Sequence, residues 1–134
     1  MAQLDTALRS ALEAHEEVVL GYVFGSVARG EAAPTSDVDV ALLNREPLGV
    51  RGAALLAEEL ARAIAYERRV DVLDLRDAPP ALAAEVVREG VLLVERDPEA
   101  RFDFETSAIR RFEDTRYLRR VQHELLREAA RGRA

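Results

Sequence analysis

The chain has 134 residues, 49% of them hydrophobic, and contains no cysteine. That length supports one domain with a substantial core, and the composition excludes disulfides and thiolate zinc sites. A net charge of -6 argues against a protein that wraps nucleic acid, because phosphate contacts need clustered cations, so direct nucleic-acid binding is not expected.

All 19 basic residues are arginine. A catalytic or Schiff-base lysine is thereby excluded, and any cation in a site must be a guanidinium. From Arg110 to Ala134 eight arginines stand against Glu113, Asp114, Glu124 and Glu128, a balance of +4 that leaves -10 on the first 109 residues. Such a basic end suits an acidic partner surface or a solvated helix face. The opening stretch MAQLDTALRSALEAHEEVVL carries charges where a secretory signal would need an apolar run. No segment reaches the ~20 apolar residues that cross a bilayer. A cytoplasmic protein without membrane contact is expected.

In chain order, Leu4, Ala7, Leu8, Ala11 and Leu12 recur at three- and four-residue spacing, which predicts an amphipathic helix from Gln3 to about Glu16. Val18 to Phe24 is a short apolar run ended by Gly25, as in a buried strand. Residues 27–36, with Gly30, Pro34, Thr35 and Ser36, read as turn and loop, with one helical turn over Ser26 to Arg29. Asp37 to Leu43 is a second strand, and Gly49 to Tyr66 a helix with Leu55, Leu56, Leu60 and Ile64 on one side. Arg69 to Leu75 is a third strand. Pro79-Pro80 opens a helix that Gly90 is expected to cap, and Val91 to Val94 is a fourth strand.

The last helix, Glu105 to Arg131, has Ile109 and Phe112 on one face and Leu118, Val121 and Leu125 on nearly the opposite one. Either it breaks near Asp114-Thr115 into two helices folding back on one core, or one segment packs while the other awaits a partner. The fold class that results is α/β (α+β), a small mixed sheet of about four strands flanked by helices. Residues 1–98 form its core and 99–134 a helical extension of the same domain that offers a partner contact.

Two carboxylates in an apolar strand ask for an explanation. Residues i and i+2 of a strand share a face about 6.6 Å apart, so Asp37 and Asp39 face one way while Val38 and Val40 face the core. Their mutual repulsion calls for a bound cation, and an all-oxygen donor set suits Mg²⁺. Asp71, between valines in the third strand, is the candidate third carboxylate of a two-ion site; Asp74 is its rival but faces the opposite side near the strand end. Gly25-Ser26 at the end of the first strand allows close backbone approach to phosphates, with Arg29 in reach as a forked donor. His15 and His123 lie on helical stretches away from these groups and read as surface or core-edge residues, and Tyr117 reads as a packing residue rather than a self-modification site.

Gly25-Ser26, ten residues, then Asp37-x-Asp39, with Asp71 in a later strand, resembles the nucleotidyltransferase superfamily typified by DNA polymerase β and kanamycin nucleotidyltransferase. Within it the chain is most similar to the minimal nucleotidyltransferases, the MNT antitoxins paired with HEPN toxins. The likeness covers roughly residues 18–96, and Val27 stands where many relatives carry arginine.

The resemblance implies the nucleotidyltransferase fold and Mg²⁺-dependent transfer of AMP from ATP to a hydroxyl. Asp37 and Asp39 would bridge two ions, Asp71 would hold the ion at the acceptor hydroxyl and take its proton, and Gly25, Ser26 and Arg29 would bind the outer phosphates. About forty residues after the core leave little for an acceptor pocket, so the acceptor is expected on another protein. By the resemblance it is a tyrosine of a HEPN toxin in a hetero-oligomeric complex. The alternatives are a small-molecule hydroxyl, or an antitoxin that acts by binding alone.

Overall fold

A computed structural model describes residues 2–31, 33 and 36–132. Pro34 and Thr35 of the expected loop lie outside the described residues, as do the chain ends. The elements follow the expected order: α1 (Ala2–Glu13), β1 (Val18–Phe24), β2 (Val38–Asn44), α2 (Gly49–Ala63), β3 (Val70–Asp74), α3 (Pro80–Glu89), β4 (Val91–Glu95) and α4 (Pro98–Gly132). No helix among the described residues is long and apolar enough to cross a membrane.

The four strands form one mixed sheet in the order β3-β2-β1-β4. Strand β1 runs antiparallel to β2 and β4, while β2 and β3, joined through α2, run parallel. Alternation along the strands divides the core in two. Val38, Val40 and Leu42 of β2 and Val70 of β3 pack with Leu8 and Leu12 of α1 and Leu56 and Leu60 of α2. Leu20, Tyr22 and Phe24 of β1 and Ala41 of β2 pack on the other side with Val86 of α3 and Phe104 of α4. Asp39 and Asp71 belong by their odd numbering to this second face.

Arg96 ties the ends of elements together, donating from Nε to the Val18 carbonyl at 2.8 Å and from Nη2 to the Glu13 carbonyl at 2.7 Å. Sequence expectations fail at two places in this frame. Leu55 is exposed, because the inward stripe of α2 runs through Leu56, Leu60 and Ala61. Helix α2 ends three residues early, at Ala63, and Ala65 and Tyr66 reverse the chain with φ of 58° and 57°. Gly90 caps α3 as expected, its N–H donating to the Val86 carbonyl at 2.9 Å with φ at -71°. Glycine is needed there for space, since a Cβ would stand 2.3 Å from the Val86 carbonyl oxygen.

Helix α4 is continuous over 35 residues and does not break at Asp114-Thr115. Its first half packs on α3 through Phe104 and the fully buried Ala108. Tyr22 donates its hydroxyl to Glu105 Oε1 at 3.0 Å, and the Arg88 guanidinium lies 4.8 Å over the Phe112 ring. Beyond Thr115 the helix leaves the body of the domain, and Tyr117, Leu118, Leu125 and Leu126 are exposed. Tyr117 therefore does not pack as expected. His15 lies in the loop after α1 rather than on a helix, between Glu17 and Glu59.

Candidate active site

Strand β1 ends in Phe24, and Gly25 turns the chain with φ 75°. The turn is held by Arg29 N–H to the Gly25 carbonyl at 3.1 Å and Glu31 N–H to the Ser26 carbonyl at 3.0 Å. Among the described residues the N–H groups of Ser26, Val27 and Ala28 have no backbone acceptor, the condition of a helix first turn. The segment is a run of hydrogen-bonded turns rather than a helix. Val27 is buried in the core beside α1 and cannot take the role that arginine would have in that position.

Sheet register brings the acidic residues to this turn. Asp39 lies opposite Phe24 on one side and Asp71 on the other. In neighbouring parallel strands, residues in register project to the same face, so Asp39 and Asp71 stand side by side. A Cβ built on Gly25 would come within 2.6 Å of Asp39 Oδ2, which places the glycine backbone directly against the carboxylate. Asp37 precedes the first residue of β2 and is exposed. Ser26 is half-buried next to the turn.

The Asp39 carboxyl is pushed above its usual range, first by burial and then by the negative charges of Asp71, Asp37 and Glu85. No ion pair or hydrogen bond reaches the Asp39 carboxylate among the described residues. Asp71 Oδ1 lies 3.3 Å from Arg69 Nε, a largely solvated pair. Glu85 was missed by the sequence reading. It is the acidic side chain in the middle of an otherwise apolar turn of α3, and that helix position was the available signal.

Asp74 behaves differently from Asp71. It is buried and accepts hydrogen bonds from Leu48 N–H at 3.1 Å and Arg76 N–H at 3.0 Å, which pin the start of α2 to the end of β3. Arg29 is engaged by Glu31 at 3.0 Å and Glu89 at 3.2 Å, away from the three aspartates. His123 lies on the exposed part of α4.

Among the described residues no three acidic or histidine groups are closed around one point as metal ligands. The donor chemistry nonetheless fits a hard divalent cation: oxygen ligands only, like charges that raise Asp39, and a glycine backbone close beside it.

Protein adenylyltransferase MntA of Shewanella oneidensis is 38% identical to this chain over 69 residues, 52% of this chain and 48% of that protein. The chain thus spans about half the length of this curated relative. A crystal structure of a toxin-antitoxin with AMP-PNP superposes with a TM-score of 0.78 at 26% identity, covering 91% of this chain and 97% of that one. The structure of a tri-AMPylated Shewanella oneidensis HEPN toxin in complex with an MNT antitoxin shares the fold, with a TM-score of 0.73 at 24% identity over 92% and 95% of the chains. Residues 6–99, carrying the turn, the three aspartates and α3, match the family described as Polymerase beta, Nucleotidyltransferase, and the chain belongs to that family.

Proposed function

We propose that this protein transfers AMP from ATP to a tyrosine hydroxyl of a HEPN toxin in the cytoplasm and acts as its antitoxin. The observation that carries the reading is the pairing of Asp39 with Asp71 beside the Gly25 turn, where Asp39 is held against like charges. The MntA relative is named a protein adenylyltransferase, and the similar toxin-antitoxin structure was obtained with an ATP analogue; both agree with this chemistry.

In the reaction the acceptor oxygen bonds to the α-phosphorus, the bond to the β-phosphate oxygen breaks, and pyrophosphate leaves. The free N–H groups after Gly25 and the Ser26 hydroxyl bind the departing phosphates. Asp71 takes the acceptor proton. Asp37, Asp39 and Asp71 would hold Mg²⁺, which supplies charge neutralisation for the phosphates when bound. Arg29 would serve as a phosphate donor only after releasing Glu31 and Glu89.

Intact mass spectrometry of a HEPN partner incubated with this protein, ATP and Mg²⁺ tests the proposal. Added AMP with wild type and none with Asp39→Ala is expected. An unmodified partner that wild type and Asp39→Ala neutralise equally well would mean inhibition by contact alone.

A further inference from the structure

Strand β3 is the edge of the sheet, and its ladder to β2 engages alternate residues. Val38 N–H donates to the Arg69 carbonyl at 2.8 Å, and Leu75 N–H to the Leu42 carbonyl at 2.9 Å. With the parallel register between them, the odd residues of β3 turn their backbone groups toward β2. The N–H and C=O groups of Val70 and Val72 therefore face outward, and they have no partner among the described residues. Open edges of this kind are normally blunted or used.

A cleft of about 560 Å³ lies against that edge, with Val70, Asp71 and Val72 along one wall. Its other wall is the small-residue side of α2, including Ala53, Ala57 and Ala61, which lets a main chain approach closely. Arg68 lines the cleft too, and its Nη1 is buried without an acceptor.

Strand order supplies the direction. The phosphate turn follows β1, Asp39 is on β2, Asp71 is on β3, and the cleft lies beyond. In-line transfer requires the attacking oxygen on the side opposite to the leaving pyrophosphate. With pyrophosphate at the β1 turn, the acceptor must arrive from the β3 side.

We propose that the acceptor docks as an extended polypeptide segment added to the open edge of β3, with a carboxylate or carbonyl on Arg68 and its hydroxyl residue beside Asp71. The inference rests on the transferase reading and deepens it by stating how the acceptor is presented. Main-chain pairing with Val70 and Val72 provides affinity, and the alternation of the added strand points one side chain to the aspartate face and the next toward α2. A small hydroxyl compound would have no use for the unpaired edge.

Hydrogen exchange and two variants test it, with a HEPN protein as the acceptor probe and AMP-PNP to hold the complex. The amides of Val70 and Val72 are expected to exchange at least about tenfold more slowly in the complex. Val72→Pro deletes an outward N–H without touching the ladder to β2, and Ala57→Trp fills the cleft. Both are expected to bind Mg²⁺ and AMP-PNP like wild type by calorimetry, and to lose about tenfold or more in kcat/KM for the protein acceptor, chiefly through KM. Should Val72→Pro unfold, Ala57→Trp and the exchange measurement decide. Unaltered exchange at both valines together with full transfer by Ala57→Trp overturns the edge docking while the transferase reading stands. Wild type that binds AMP-PNP but modifies only small-molecule hydroxyls overturns both.

Discussion

Gly25 and Asp39 are in contact across the β1–β2 pair, with the Asp39 Oδ2 atom 2.6 Å from where a Gly25 side chain would begin. The same residue holds φ at 75°, a region that L side chains disfavour. Gly30 has nearly the same φ, 72°, with nothing within 4 Å of its Cβ position. Gly30→Ala is expected to cost about 1 kcal/mol in urea unfolding from backbone strain alone. Gly25→Ala should cost more than that, and unlike Gly30→Ala it should abolish AMP transfer because it displaces Asp39. Equal losses for the two variants would show that the contact is immaterial.

Asp39 predicts a dependence on pH. Its folded pKa lies above the ordinary 3.8, so the protonated form is the one the fold favours. The stability this contributes is complete below pH 3.8 and is lost as pH rises through the raised value, leaving the ionised group unfavourable at neutrality. Asp39→Asn is expected to melt higher than wild type at pH 7 in EDTA, with the difference shrinking toward pH 4. Adding Mg²⁺ should raise the wild-type midpoint and leave the variant nearly unmoved. A lower metal-free midpoint for Asp39→Asn at pH 7 contradicts the electrostatic reading.

Asp71 and Asp74 sit three residues apart and are expected to fail differently. Asp74→Ala leaves the Leu48 and Arg76 amides without their acceptor and should destabilise by about 1–3 kcal/mol. Asp71→Ala removes a half-exposed carboxylate and should leave the melting midpoint close to wild type. Its AMP transfer should fall by on the order of a thousandfold, the equivalent of several kcal/mol of transition-state stabilisation. Denaturant curves and single-turnover assays on the two variants separate the roles.

The two halves of α4 are also separable. Phe104→Ala empties the contact with Tyr22 and Ala83 and is expected to cost about 3 kcal/mol. A chain ended after Arg116 loses a largely solvated helix and the Arg119 stack on Phe112, and should lose about 1 kcal/mol or less. Its binding to a HEPN partner should weaken by at least about tenfold, since Leu118, Leu125 and Leu126 leave with it. Undiminished affinity would place the partner contact elsewhere.

Much of this site was legible in the chain itself. The alternation of Asp39 with Val38 and Val40, the Gly25-Ser26 pair after an apolar run, and Asp71 between valines are local patterns, and local periodicity is set by backbone geometry. The order of the elements and the presence of four strands followed from the same patterns. So did the change of face along α4, which the structure resolves as one continuous helix with an exposed second half.

Other features depended on residues far apart in sequence. Val27 reads as a turn residue locally, yet it is drawn into the core by α1. Leu55 fits the apolar stripe of α2 but faces water, because packing on the sheet turns Leu56, Leu60 and Ala61 inward instead. Glu85 enters the charge cluster only through the packing of α3, and Arg29 is engaged by Glu89 from sixty positions away. The register that sets Asp39 against both Gly25 and Asp71, and that leaves Val70 and Val72 unpaired at the edge, arises when strands pair. That pairing is chosen by burial of the whole core, a long-range balance that no single window of sequence contains.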